Sequence, residues 1–454
     1  MRALALAALV VACGGRTEPP RPVAAATPSR IAIVVSVDGL MPGAYAEPGL
    51  AVPTMRGMVA GGAWARSVRS VMPAVTYPAH TTIATGVSPA AHGIVSNRAF
   101  DPLEKNQKGW RWYAEDIRAR TLWDAAAEAG KRAALLQWPV TVGARVHLLV
   151  PEYWRAGTAE DLKLLRAVST PGLLAAAEKR FPDLWKHPAL ADGVVDQAVV
   201  DVAVHILESD PPDLLMVHLP VVDSMEHDHG PGSAEANAAI EAVDAQIARL
   251  VETCKARGLW ERTAIFVVSD HGFAPVTTEL RPMVKLREAG LVDVDASGAP
   301  TAWRAAIQAN GGTAYVYLAD PADRATADRV RALLPAGGPI RRVLEAGEIA
   351  RLGGDPGAFL ALEGADGVVF QEGVAGTWEK PSGSRGHHGW LPDDAAMNAS
   401  FLALGPGIRP VALGDISLTD VAPTVAAWVG VTMPDTFGSA LDIFHSIETH
   451  RGSP

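Results

Sequence analysis

Within VVDSMEHDHGPG (221–232) the chain gathers Asp223, Glu226, His227, Asp228 and His229, directly after the apolar run DLLMVHLP. Two other apolar runs close on the same chemistry: IAIVVSVDG (31–39) on Asp38, and TAIFVVSDHG (263–272) on Asp270 and His271. Asp and His without Cys form a hard-to-borderline donor set suited to zinc, manganese or iron. With an imidazole from GHHGW (386–390) there are six side chains. That is more than one tetrahedral ion takes, so two ions sharing a cleft is the economical reading. Asp223 and His227 lie four apart and can face one ion if the turn between them is compact.

A nucleophile is expected beside the first acid, in MPAVTYPAHTTIATG (72–86). Pro73 and Pro78 restrict the backbone around Thr76. AHTTIATG reads as helix, which puts Thr76 at or near a helix N-terminus, where N–H groups and the dipole favour an anion. A Thr hydroxyl is a weak nucleophile that metal coordination activates; the plainer role for such a residue is an N-cap. Thr81, Thr82 and Thr85 read as helix-interior or packing residues.

The elements behind these groups follow from the apolar runs. Near-continuous Val/Ile/Leu stretches are characteristic of strands buried on both faces, as in parallel sheets covered by helices. Helical patterns such as TLWDAAAEAGKRAA alternate with them, which indicates α/β architecture. In such sheets ligands bind beyond the carboxyl ends of the strands, so three acids at strand ends should converge. AAIEAVDAQIARLVETCKARG repeats Ile240, Val243, Ile247, Leu250, Val251 and Cys254 at helical spacing, which makes Cys254 a buried hydrophobe. From about Pro275 to Ser384 (275–384), strand and helix patterns suggest a smaller α+β subdomain inserted between ligand motifs.

The chain has 454 residues, 48% hydrophobic and 20% charged, enough for one large core or two. A formal net charge of -10 argues against a polymeric nucleic-acid binder. A small anionic substrate remains compatible with it, since bound cations reverse the local sign. Two cysteines, Cys13 and Cys254, give no disulfide framework and no multi-Cys zinc site. MRALALAALVVACGG carries one Arg and a short apolar run before Cys13, too short for a bilayer and fitting a signal-peptide core. Its VVAC ending is similar to a bacterial lipobox. The expectation is a signal over 1–13, a Pro/Ala-rich tether over 14–30 and a catalytic domain over 31–450, held at the cell envelope through lipidated Cys13. No protein partner is expected.

DG at Asp38, TYPAH at Thr76, HGIVSN ending at Asn97, DSMEHDHGP at Asp223, SDHGF at Asp270 and GHHGW at His388 occur in that order. The series resembles the nucleotide pyrophosphatase/phosphodiesterase family of the alkaline phosphatase superfamily, over residues 31 to about 410. The resemblance implies a three-layer fold with a mostly parallel sheet and two Zn²⁺ ions. One would be held by Asp223, His227 and His388, the other by Asp38, Asp270 and His271, with Thr76 bridging toward it. It implies that Asn97 donates to a phosphoryl oxygen and that PEYW (151–154) brings an aromatic surface to a nucleobase. Tyr77 and Tyr153 are thus candidate substrate-binding residues, with GWRWYAED (109–116) a further substrate-facing loop. His387 competes with His388. Glu226 stands where the family has Gly, and Met41 where it often has a basic residue. His229 and His218 receive no family role and read as packing or solvent-facing.

The implied reaction is hydrolysis of a small phosphodiester or pyrophosphate through a phospho-threonine. A phosphomonoesterase remains the alternative, through Arg98, Arg145 or Arg155. A lipid-headgroup phosphodiesterase and a non-catalytic metal-binding lipoprotein are further readings on the same core. A sulfatase frame is missing, and a phosphoglycerate-mutase-like spacing fits less well.

Overall fold

The computed structural model describes residues 29–106, 109–154, 159–184 and 194–445. Cys13, the leader and the tether up to residue 28 lie outside the described residues, as does Arg155. Among the described residues no helix is long and apolar enough to cross a membrane.

The elements that position the site begin, in chain order, with strand β1 (Ile31–Val37), strand β2 (Ala63–Arg69) and helix α1 (Thr76–Thr85). Strands β3 (Ala133–Leu136) and β4 (Leu148–Val150) precede helix α2 (Val194–Ser209) and strand β5 (Leu214–Leu219). Helices α3 (Val221–His229) and α4 (Ala234–Ala256) then lead to strand β6 (Thr263–Val268). The later strands are β7 (Ala305–Asn310), β8 (Thr313–Leu318), β9 (Ile340–Glu345), β10 (Leu360–Gly364), β11 (Phe401–Leu404) and β12 (Val411–Ser417), with helix α5 (Val421–Val429) at the end.

Eight strands form the central sheet in the order β12-β2-β11-β6-β1-β5-β3-β4. Only β11 runs against the rest, pairing antiparallel with both β6 and β2. Every residue of β1, β5 and β6 is buried, which is why their sequences read as unbroken apolar runs. Alternation sends Ile31, Ile33, Val35 and Val37 to the face covered by α2 and α4, and Ala32 and Val34 to the face covered by α1 and α5. The result is helix, sheet, helix: the expected mostly parallel α/β sandwich. In α4 the Ser233 hydroxyl caps the start by accepting from Ala236 N at 3.2 Å. Cys254 lies on its buried stripe as a free thiol, pushed up to about 11 mainly by burial, so its reactivity is suppressed.

Strands β7, β8, β10 and β9 form a separate antiparallel sheet in that order. It has its own apolar core, including Met283, Leu286, Ile307, Val316, Val330 and Leu362. This unit touches the main sheet's loops directly. Ser96 Oγ donates to Asn310 Oδ1 at 2.7 Å, and Gly312 N to His388 O at 2.9 Å. Gly389 has φ +95°, and a Cβ there would lie 1.9 Å from Asn310 O, so only glycine permits this close approach beside His388.

Candidate metal and phosphoryl site

The three acids do converge beyond the carboxyl edge of the sheet. Register places Val37 of β1 opposite Leu219 of β5, and Ser36 opposite Val268 of β6. Asp38, Asp270 and the α3 residues therefore leave neighbouring strands at one level. Helix α3 answers how Asp223 and His227 reach one point: at i and i+4 they share a face.

Asp38, Asp270 and His271 form one donor group, and Asp223, His271 and His388 another, with donor atoms within 4.8 Å of one another. His271 Nε2 lies 3.4 Å from Asp38 Oδ1 and 3.1 Å from Asp270 Oδ2. Asp223 Oδ1 lies 3.5 Å from Nε2 of both His227 and His388. The six anticipated donors are thus side by side. His387 joins them, grouped with His227 and His388, so proximity alone does not choose between the two imidazoles of GHHGW.

Hydrogen-bond accounting shows which atoms are spoken for. Nδ1 of His227 lies 3.0 Å from Gly386 O, Nδ1 of His388 3.0 Å from Ala74 O, and Nδ1 of His271 3.2 Å from Gly272 O. A carbonyl only accepts, so each Nδ1 carries the proton and each Nε2 is left as a lone-pair donor. The carboxylates are divided in the same way. Asp270 Oδ1 accepts from Gly39 N at 3.2 Å, whereas its Oδ2 has no hydrogen bond. Asp38 Oδ2 is met by His218 Nε2 at 3.1 Å, whereas its Oδ1 has none, and Asp223 Oδ1 and His271 Nε2 are buried and unpartnered too. Buried polar atoms without partners are costly, and here they point at one another. A cation between them would satisfy all four, so the residues fit metal ions.

The electrostatics agree. Burial, then the Asp38 charge, pushes the Asp223 and Asp270 carboxyls well above their usual range. Burial opposes the charged form of Asp38 as well. There the His218 hydrogen bond and nearby imidazoles outweigh it and hold the carboxyl below its usual range. Burial lowers His271 to about 4 and His388 well below its usual value. Several buried carboxylates with neutral imidazoles need an outside positive charge.

Thr76 is the first residue of α1, 9% exposed, and among the described residues no group hydrogen-bonds its hydroxyl. It lines a cavity of about 250 Å³ with Asn97, Arg98, Trp110, His227, Asn310 and His388. Tyr77 N donates to Asn97 Oδ1 at 2.8 Å. A backbone N–H can bond only the oxygen of that amide, so the Asn97 NH₂ is left for the cavity.

The aromatic expectations need correction. Tyr77 is fully buried, its OH donating to Glu152 Oε1 at 3.1 Å and its ring 5.2 Å from Trp110. It offers no face to a ligand because Trp110 and Trp112 cover it. Tyr153 packs edge-on against Trp112 at 5.4 Å and does not line the cavity. The cavity's aromatic surfaces are Trp110 and Phe370, and the Arg98 guanidinium lies 5.6 Å from the Trp110 ring centre. Arg145 is exposed and away from this lining. Glu226 is buried with Oε2 unpartnered. Burial, then Asp38, pushes its carboxyl up to about 9.

Two further histidines lie against this site. His80 Nδ1 donates to Thr76 O at 2.8 Å, and its Nε2 lies 2.8 Å from Ser36 Oγ. His218, expected to pack or face solvent, is 1% exposed and bonded to Asp38. Face parity could have found it: Ser36 and His218 are register partners on the sheet face that α1 covers.

Residues 32–354 match the family described as type I phosphodiesterase / nucleotide pyrophosphatase. The chain belongs to this family. An uncharacterized pyrophosphatase/phosphodiesterase of Schizosaccharomyces pombe is 31% identical over 216 residues, 45% of this chain and 37% of the relative. Human ectonucleotide pyrophosphatase/phosphodiesterase family member 1 is 24% identical over 272 residues, 57% of this chain and 25% of the relative. The aligned part thus spans well under half the length of these curated relatives. Among solved structures, murine ectonucleotide pyrophosphatase/phosphodiesterase 5 superposes with a TM-score of 0.65 at 20% identity, covering 90% of this chain and 97% of that one. An inactive form of the same murine protein, in complex with AMP, gives 0.63 at 20% identity, covering 91% and 98%. For this family member they establish the shared fold.

Proposed function

We propose that the protein hydrolyses phosphodiester or pyrophosphate bonds of nucleotide-type substrates, using two zinc ions and a covalent phospho-threonine. The observation that carries this reading is the set of four unpartnered donor atoms at the carboxyl edge of the sheet, next to His227 and His388, which line one cavity with Thr76. Asp38, Asp270 and His271 would hold one ion, and Asp223, His227 and His388 the other. When bound, zinc supplies charge neutralisation at the phosphoryl oxygens and lowers the pKa of a coordinated oxygen nucleophile. Thr76 attacks phosphorus from the helix N-terminus, whose N–H groups favour the anion. The Asn97 NH₂ donates to a non-bridging oxygen as charge develops there. Trp110 offers a ring face for a flat leaving or retained group, and Arg98 beside it a cation for a further anionic oxygen. The AMP held by the murine relative supports a nucleotide as the organic part.

Lipidation at Cys13 would keep the catalytic body at the bacterial envelope. The phosphomonoesterase reading keeps one supporting observation, the cationic Arg98 in the cavity lining.

The test is turnover of a nitrophenyl nucleotide diester and of nitrophenyl phosphate, with and without chelator, alongside elemental analysis. The expected result is a higher kcat/KM for the diester, loss of activity on chelation, and close to two zinc ions per chain. A faster monoester would overturn the diesterase reading, and magnesium or calcium alone would overturn the zinc assignment.

A further inference from the structure

His218 is the fifth residue of an otherwise apolar strand, LLMVHL, where a methionine or phenylalanine would fill the volume as well. Its ring instead bridges acceptors on both sides. Nε2 lies 3.1 Å from Asp38 Oδ2, and Nδ1 lies 3.0 Å from Gln137 O and 3.5 Å from Glu152 Oε2. Carbonyls and carboxylates here only accept, so the ring donates from both nitrogens. The other oxygen of Glu152 accepts from Tyr77 OH at 3.1 Å, and Tyr77 N donates to Asn97 Oδ1 at 2.8 Å. Asp38, His218, Glu152 and Tyr77 thus lie in one row leading to Asn97, hydrogen-bonded at every step except the 3.5 Å approach of His218 to Glu152 Oε2. His80 closes its side, with ring centres 4.4 Å from His218.

Asp38 is the group that this row acts on. With Oδ2 taken by His218, only Oδ1 is free, and it faces His271 Nε2 at 3.4 Å. A carboxylate without that donor can rotate and present either oxygen or both. One with it presents a single oxygen in a fixed direction.

We propose that His218, backed by Glu152, is a positioning residue that fixes Asp38 as a one-oxygen metal ligand and ties its orientation to the helix start carrying Thr76. This role rests on the reading of Asp38 as a metal ligand given above. It also gives Tyr77 a purpose in its buried position, as the hydroxyl that anchors Glu152 from beneath the nucleophile.

The experiment is zinc binding to the full chain, measured by competition with a chromophoric chelator, for wild type, His218→Phe, His218→Gln and Glu152→Gln. Melting temperatures in the zinc-loaded state check that each variant is folded, and visible spectra of the cobalt-loaded forms report coordination. The wild type is expected to bind two ions. His218→Phe should keep one at wild-type affinity and weaken the other by about 10–100-fold, the usual cost of losing an outer-shell partner. His218→Gln retains one donor toward Asp38 and should recover most of that loss, and its cobalt spectrum should lie nearer the wild type's than that of His218→Phe. A folded His218→Phe that binds both ions as tightly as wild type overturns the role. So does a His218→Gln no better than His218→Phe. If His218→Phe does not fold, Glu152→Gln decides: unchanged affinity at both sites overturns the role, and selective weakening of one supports it. A wild-type chain with no tight zinc at all would instead overturn the metal reading itself.

Discussion

At the residue scale, the proposed mechanism gives Thr76 and Asn97 separate parts of the phosphoryl step, and the division is testable. With Asp and His side chains as the proposed metal donors, Thr76→Ala should abolish hydrolysis while zinc content, measured by elemental analysis, stays near that of the wild type. Full activity in that variant would place the nucleophile elsewhere. Asn97→Ala removes a single donor to the developing charge, so kcat should fall on the order of 10²–10³-fold. The aromatic neighbours separate by a different readout. Trp110 lines the cavity while Tyr77 lies beneath it, so Trp110→Ala should raise KM for a nucleotide diester. With zinc saturating, a Tyr77→Phe variant should leave that KM unchanged, because the hydroxyl it removes meets Glu152 and not the cavity. The convergence of Asp38, Asp223 and Asp270 was legible in the sequence because each follows an apolar run and acids at such ends have few other reasons to be there. His388, after the polar stretch SGSRG, was reached only through the family motif. The burial of Tyr77 was not legible because its covering residues, Trp110 and Trp112, come from a loop whose path no periodicity fixes.

At the element scale, the strand ends do the positioning and the connections decide the details. Runs such as IAIVVSV announced their burial on both faces, whereas His218 depends on register: only once Ser36 and His218 are paired does its side point toward α1. The contribution of residues 309–311 and 370–372 to the cavity was equally hidden, since it depends on how the β7–β10 sheet docks over Ser96 and His388. The short turn after α1 carries a pH effect independent of the metal donors. His92 is fully buried, its Nδ1 accepting from Ile94 N at 3.2 Å and its Nε2 lying 3.0 Å from Thr82 Oγ1. Burial lowers its pKa from 6.5 to about 3. The folded chain thus holds a neutral imidazole where the unfolded chain takes up a proton below about pH 6.5. Stability from this group is complete above that pH and is lost progressively as pH falls toward 3. The melting temperature of His92→Asn should consequently drop less between pH 7 and pH 5 than that of the wild type. An equal drop in both proteins would mean that His92 does not carry this linkage.

At the scale of the whole molecule, the metal ions are expected to contribute to stability as well as to chemistry. Without them the carboxyl edge of the sheet brings Asp38, Asp223 and Asp270 together in burial, with unpartnered oxygens facing one another. Mutual repulsion and desolvation oppose that arrangement, and a bound dication relieves both. The candidate donors come from the ends of β1 and β6, from α3, and from the GHHGW loop that Gly389 presses against Asn310. An ion held by all of them joins segments that are distant in sequence. An ion that binds the folded chain in preference to the unfolded one raises stability by mass action, roughly 2.7 kcal/mol when free zinc is at 100 times its Kd. Chelation should therefore lower the melting temperature, and re-added zinc should restore it in proportion to the logarithm of its free concentration. Replacing His271, whose Nε2 faces both Asp38 and Asp270, by Ala should flatten that dependence, because it removes a donor shared by two carboxylates. A melting temperature indifferent to chelator in the wild type would mean that these donors meet no ion, and the two-metal reading would fall with it.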